Sequence, residues 1–344
     1  MLPARFIAHP TERQARSSIP ERAPAENAPT FLRFSKIGAA SVPSRPPKPP
    51  PLSESQRLFT RSLARALQSR YDRYMREVLC RSFAALVVAA LAGAQTPVLR
   101  QDAPVVNAAS YAADQAVTPG SLVAIFGTEL AAGLAQAGTI PLSNTLAGVS
   151  VSFNNIPAPI LFVSQGQINA QLPWNVLPVP GAAGTADVVV QRGNASSQAR
   201  QVRVGPFSPG IFSVQFGVGQ GIAVNLNGSL AAPAGSIPGL ATEPARIGST
   251  IFIYANGLGA VNVPVANGYN SADALRTNTT TPEVLIGGRN AQVAFSGLAP
   301  EFAGVNQLNV VVPEGVTPGD AVPLQLRVGG ITTTDRVTIA VRAP

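Results

Sequence analysis

Gln167-Ile-Asn-Ala-Gln-Leu-Pro173 sets Ile168, Ala170 and Leu172 on one side of an extended chain and Asn169 and Gln171 on the other. Successive side chains of a strand point to opposite faces of its sheet, so this alternation predicts a half-buried strand. A second stretch, Gln307-Leu-Asn-Val-Val-Val-Pro313, repeats the pattern, the Gln-x-Asn start and the closing Pro. One copy predicts a strand, and two predict a duplicated module.

Working outward, the copies continue in the same order. Ala158…Phe162 resembles Ala291…Phe295. Pro119-Gly-Ser-Leu-Val-Ala-Ile-Phe126 resembles Ile247-Gly-Ser-Thr-Ile-Phe-Ile-Tyr254, and Val188–Gly193 matches Leu324–Gly329. The spacing is roughly 130–140 residues. Period-two alternation recurs at Val149, Val151 and Phe153, at Leu324, Leu326 and Val328, and at Val337, Ile339 and Val341. Leu122–Phe126 and Ile251–Tyr254 are apolar on both faces, as central strands are.

Turn signals separate these runs at Pro119-Gly120, Pro209-Gly210, Asn227-Gly228, Asn256-Gly257, Asn267-Gly268, Pro318-Gly319 and Gly329-Gly330. Asn-Gly favours the type I′ hairpin turn, whose two central residues both need φ > 0. Only Glu129–Ala137 is read as a short helix.

The expected fold class is all-β, with two tandem Ig-like β-sandwiches of about 100 residues each, the size of that module. The boundaries are 104–205 and 247–344, joined by a Gly/Pro-rich connector, 206–246. A hairpin over Gly221–Leu230 turns at Asn227-Gly228.

The front of the chain differs in kind. Residues 1–94 hold fifteen basic and six acidic residues, and the rest holds ten and eleven. The net charge of +8 therefore belongs to the N-terminal segment. Met75-Arg-Glu-Val-Leu-Cys-Arg81 is short and basic, and Ser82–Leu91 is apolar and leads to Ala92-Gly-Ala94. These are the n-region, h-region and cleavage site of a secretory signal peptide over 75–94. Residues 1–74 are read as a disordered basic segment upstream of a translation start at Met75, Pro46-Pro-Lys-Pro-Pro-Pro51 being part of it. The rival reading is a genuine basic tail with Ser53–Ala94 as a continuous helix.

After residue 94 the sequence has no His, Cys, Lys or Met. That removes His bases, Cys nucleophiles, Schiff-base lysines, His/Cys metal sites and disulfides together. Phe162-Val-Ser-Gln-Gly166 lacks the first Gly of a nucleophile elbow. The acids Asp114, Glu243, Asp273, Glu301 and Asp320 fall mostly in turns, where solvation explains them better than a glycosidase pair.

Asn225-Leu-Asn227-Gly-Ser229 has alternating oxygen ligands but no Asp and no closing Glu for calcium. Gly217-Val-Gly-Gln-Gly221 has neither the Lys nor the helix of a phosphate loop. Trp174, at a strand end, is read as closing a sandwich core rather than stacking on a sugar. No catalytic, cofactor-binding or metal-binding residue is expected, and the ligand-binding residues stay open.

A family resemblance rests on Asn107-Ala-Ala-Ser-Tyr111, Val117–Gly127, Leu146–Val151, Pro157–Val163, Gly166-Gln-Ile-Asn169, Pro209-Gly-Ile-Phe212, Gly257-Leu-Gly259 and Gly297-Leu-Ala-Pro300. Together they resemble a C-terminal domain family of secreted acidobacterial proteins, uncharacterised in function and related to IPT/TIG Ig-like modules. The resemblance spans about 104–342 and implies Ig-like sandwiches and export. It supplies no catalytic residue.

The function expected is a non-catalytic secreted or cell-surface module for interaction, adhesion or scaffolding, with the periplasm as an alternative location. Its partner would be an extracellular polysaccharide or an envelope protein, with no cofactor and no transmembrane helix after signal cleavage. A nucleic-acid role is disfavoured, because a body without Lys and with more acidic than basic residues suits phosphate poorly. The remaining alternative is a carboxylate-based extracellular glycan hydrolase.

Overall fold

The computed structural model describes residues 95–334 and 336–344. The expected basic segment, 1–74, and the expected signal peptide, 75–94, lie outside the described residues. Every regular element among the described residues is a strand, so the fold is all-β. No described helix is long and apolar enough to cross a membrane.

The first half runs β1 (Val98–Leu99), β2 (Val105–Asn107), β3 (Leu122–Thr128), β4 (Ala135–Gln136), β5 (Thr145–Leu146), β6 (Val149–Phe153), β7 (Ile156–Pro157), β8 (Ile160–Val163), β9 (Gln167–Gln171), β10 (Gly184–Arg192), β11 (Ala195–Ser196) and β12 (Arg200–Val204). One sheet pairs β1 and β2 with β3, then β9, β8 and β4. The facing sheet joins β6 to β10 and β10 to β12. In immunoglobulin lettering these are the A-B-E-D and C-F-G sheets. Val117 bridges Val204 in parallel, which sets the incoming chain beside the last strand.

Alternation decides which side chains make the core. On β6, Val149, Val151 and Phe153 are buried and Ser150 and Ser152 half-buried. Ile168 and Ala170 of β9 and Val188 and Val190 of β10 meet them from the two sheets. Each fully buried Val, Ile, Leu or Phe contributes about 1.5–3 kcal/mol relative to exposure.

The connector supplies β13 (Gly210–Ile211), β14 (Gly219–Gln220), β15 (Ala223–Asn225) and β16 (Ala245–Arg246). The second half follows with β17 (Thr250–Asn256), β18 (Glu283–Ile286), β19 (Arg289–Leu298), β20 (Asn306–Val311), β21 (Gly319–Val328), β22 (Ile331–Thr332) and β23 (Val337–Arg342). The pairings β17–β20–β19 and β18–β21–β23 repeat those of β3–β9–β8 and β6–β10–β12. β16 runs parallel to β23, as Val117 does to Val204. The two halves are thus tandem Ig-like sandwiches, each with its own core.

The copies differ where sequence chemistry differs. In the first, Ala158-Pro159 interrupts the passage from β7 to β8. Pro157 and Pro159 lack the N–H that a continuous ladder requires. The second copy has no proline there, and β19 runs unbroken from one sheet to the other with one register shift between Val293 and Phe295.

Two local expectations change. Glu129–Ala137 is not helical: Glu129 stands at φ 56, Leu130 and Ala131 are buried, and Ala135-Gln136 form β4 against β8. Tertiary burial of Leu130 outweighs a weak helix signal. The hairpin at Asn227-Gly228 forms, with Gly228 donating to the Asn225 carbonyl at 2.9 Å. Gly228 has φ 85 and Asn227 lies outside the positive region, so the loop is a three-residue turn with a glycine bulge, not type I′. Asn154-Asn155, at φ 49 and 64, form a two-residue turn of the I′ kind between β6 and β7.

A third apolar cluster welds the halves. Phe252 and Tyr254 point away from the second core and meet Phe212, Ile222, Val224, Leu230 and Ile237 of the connector. Leu122 and Leu161 of the first sandwich join the same cluster. Buried amides complete the seam. The Asn256 side chain donates to the Leu122 carbonyl (2.7 Å) and accepts from the Leu122 N–H (3.1 Å). It also donates to Asn107 Oδ1 at 2.9 Å, and Asn107 in turn donates to the Ser208 carbonyl. Gln171 donates to the Gly120 carbonyl and accepts from the Gly268 N–H at 2.6 Å.

Candidate functional site

The outer face of the A-B-E-D sheet in the first sandwich has two ends. Its Leu122 end is sealed by the third cluster, and its Phe126 end is open. Register places Phe126 opposite Gln167 and Ala124 opposite Asn169. All four lie on the face opposite Ile125 and Ile168, which are fully buried.

Loops bring two more aromatic rings to this end. Tyr111 sits 6.3 Å from Phe126, centroid to centroid, at 48°. Phe216 meets Tyr111 edge-on at 5.5 Å and 74°. The Arg100 guanidinium lies 4.9 Å from the Phe126 centroid, a cation–π distance. The result is a row, Arg100–Phe126–Tyr111–Phe216, whose rings step rather than lie in one plane. Tyr111 and Phe126 are half-buried, and Phe216 is 44% exposed.

The row is held by polar bonds and close backbone contact. Arg100 donates to the carbonyls of Asp102 (2.6 Å) and Ala103 (2.7 Å), which fixes its guanidinium over the ring. Burial raises the Tyr111 hydroxyl above its ordinary titration range, partly offset by its hydrogen bond with the Gln167 side chain. Gln167 Nε2 donates to Asn169 Oδ1 at 2.7 Å. That bond engages the Asn169 oxygen, and Asn169 itself is half-buried.

Tyr111 and Phe216 both adopt left-handed backbone, at φ 55 and 57. Bulky side chains rarely do, and such strain collects at ligand clamps. Gly217 permits the loops to meet, since a Cβ there would lie 2.3 Å from the Ser110 carbonyl oxygen.

The residues singled out in the sequence do other work. The Trp174 indole occupies the space a side chain at Gly120 would need, and the Trp174 backbone N–H donates to Asn267 Oδ1 of the second module at 2.9 Å. It is a half-buried wedge at the seam, not part of the first sandwich core. Ser164 closes the β8–β9 turn, its hydroxyl donating to the Gln167 carbonyl at 3.1 Å. Asn225, Asn227 and Ser229 satisfy one another, with Asn227 donating to Glu243 at 2.8 Å. Among the described residues no group of three His, Cys, Asp or Glu is placed to hold a metal.

The acids are engaged singly. Asp273 takes two bonds from Arg276, at 2.6 and 3.0 Å, which lower its carboxyl to about 2. Glu243 is lowered by the Asn227 bond and by Arg342. Glu129 pairs with Arg192 at 3.0 Å. A glycosidase acid needs its carboxyl raised, and both shifted carboxyls move the other way. Asp114 lends its carbonyl to Arg203, Asp320 stands exposed on β21, and half-buried Glu301 adds to the burial that raises the Tyr254 hydroxyl.

Sequence reasoning missed this row because three of its members come from separate loops. One signal was available: Gln167-x-Asn169 recurs as Gln307-x-Asn309, with polar residues on the face away from the core.

No protein-family model matches the chain, and no curated protein matches it. Similar solved structures include a Bacteroides ovatus mixed-linkage glucan utilization locus protein, SGBP-B, in complex with a mixed-linkage heptasaccharide. It shares 13% identity over 71% of this chain and 46% of that one, with a TM-score of 0.27. A tandem from titin shares 11% over 73% of this chain and 65% of that one, TM-score 0.18. Domains 5–6 of the S-layer protein SbsC share 14% over 72% and 99%, TM-score 0.22. The chain spans less than half the length of the first and under two thirds of the second. At these TM-scores the likenesses bear on no residue of the face described above.

Proposed function

We propose that the chain is an exported, non-catalytic interaction module that meets an extracellular or cell-surface partner through the Arg100–Phe126–Tyr111–Phe216 row. One observation carries the reading: the same outer-face pattern occurs in both sandwiches, and only the first copy is left open. Aromatic side chains at a partly desolvated surface carry much of the energy of recognition. The engaged carboxylates and the lack of His, Cys and Lys after residue 94 support binding over catalysis. The acidobacterial C-terminal domain resemblance and the signal-like stretch 75–94 support export.

The test expresses the full gene from its native upstream DNA, fractionates the culture and reads the mature N-terminus by mass spectrometry. A product that begins near Gln95 outside the cytoplasm is expected, and Phe216→Asn weakens its retention on the envelope fraction. Asn tolerates the left-handed backbone of that position, so the substitution removes the ring without adding strain. A cytoplasmic chain that begins at Met1, or equal retention of the variant, overturns the reading.

A further inference from the structure

We infer that the stepped aromatic row binds single chains of a neutral polysaccharide, with the Asn169 amide reading their hydroxyls; this rests on the interaction face proposed above. Four observations on that face point to this chemistry. The first is ring area. The C–H faces of a sugar are apolar, and Phe216 offers them an exposed ring, with half-buried Tyr111 and Phe126 continuing the aromatic row behind it. A ligand with only polar groups would gain nothing from displacing water there.

The second is the polar fitting. The Tyr111–Gln167–Asn169 chain fixes two planar amides beside the rings before any ligand arrives. Prepositioned amides answer paired hydroxyls, and ordering them in advance lowers the entropy lost on binding.

The third is charge. The face holds one ionic group, Arg100, whose Nε and Nη2 are already bonded to the Asp102 and Ala103 carbonyls and whose plane rests on Phe126. No Asp or Glu side chain belongs to the row. A cation so occupied does not demand an anionic sugar, and a neutral chain needs no counter-charge.

The fourth is shape. Rings inclined by 48° and 74° cannot lie together on a flat crystalline array. They follow a chain that twists, so soluble single chains fit and crystalline cellulose does not. A protein partner would need a wider contact, on the order of 800 Å² per side. The open end is limited on one side by the seal at Leu122.

The experiment is affinity electrophoresis of the full chain through gels containing a soluble mixed-linkage β-glucan, xyloglucan, galactomannan, a soluble α-glucan or alginate, with a parallel pull-down on crystalline cellulose. Retardation by at least one neutral polysaccharide is expected. Phe216→Asn and Asn169→Ala should each weaken it about tenfold, the scale of losing a central recognition side chain. Circular dichroism on the same samples checks that both variants keep the fold.

Retardation by alginate alone, or binding to crystalline cellulose alone, overturns the inference. If no polysaccharide retards the chain yet Phe216→Asn still loses envelope retention, the face serves a protein: the interaction reading stands and the polysaccharide fails. If Phe216→Asn changes neither readout, both fall.

Discussion

The outer faces of the two sandwiches carry one design in two states. In the first, Phe126 faces Gln167, and Gln167 donates to Asn169 at 2.7 Å. In the second, Tyr254 faces Gln307, and Gln307 donates to Asn309 at 2.8 Å. Yet Tyr254 is only 7% exposed, with Phe302 edge-on at 6.1 Å and the connector across it. Phe126 is left half-open beside Tyr111 and Phe216. The duplication therefore did not fix the fate of the face. The segment that follows the first sandwich did, by covering its neighbour's B strand while bringing Phe216 to the open end of its own. A pattern of side chains on a sheet specifies a surface, and the connector decides whether that surface becomes core or contact.

That contrast sets a scale of effects. Tyr254→Ala should cost about 3–5 kcal/mol, the range for emptying a buried aromatic site. Phe126→Ala should cost only about 1–2 kcal/mol, because the ring is already partly in water. Urea denaturation of both variants measures the gap, and equal losses would erase the distinction between the faces.

A smaller loss, about 1–3 kcal/mol, is expected for Asn256→Ala, which strands the Leu122 N–H and takes one donor each from the Leu122 carbonyl and Asn107 Oδ1. Since that amide bonds one sandwich to the other, calorimetry should show one transition in the native chain and a broadened or split one in the variant. Two resolved transitions in the native chain would mean that the seam does not couple the halves.

The smallest effect is a slope. Burial, reinforced by the negative Glu301, raises the Tyr254 hydroxyl well above its ordinary value near 10. A folded-state pKa above the unfolded one gives stability that is complete below pH 10 and declines as pH rises beyond it, because the unfolded chain releases the proton first. Tyr254→Phe should flatten that alkaline decline in thermal melts between about pH 10 and 11. Tyr111→Phe should flatten it less, since Gln167 offsets part of that shift. Indistinguishable slopes would place the two hydroxyls in like surroundings.

The parts legible in the sequence were those written in local periodicity. Alternation at Val149–Phe153 or Val337–Val341 names the inward side chains without knowledge of the fold, and the repeated Gln-x-Asn announces the duplication. The seam was not legible. Asn256 and Leu122 are 134 positions apart and meet through one amide and one peptide group, a contact that imposes no period on either segment. Trp174 carried a signal with the wrong address, since an aromatic residue at a strand end looks the same whether it closes a core or wedges a joint. The aromatic row failed to show for a related reason. Tyr111 and Phe216 belong to loops, and their left-handed backbone is visible only once Gly217 has been brought against Ser110.

The parallel pairing of β23 also bears on how the module responds to tension. β14 and β16, both preceding the second sandwich, lie alongside β23, and β23 carries the chain out of it. A pull that drags β16 backward and β23 forward slides parallel neighbours past one another. All the hydrogen bonds between them are strained at once, instead of opening one after another like a zip. A joint loaded in shear resists far more than the same bonds peeled in series.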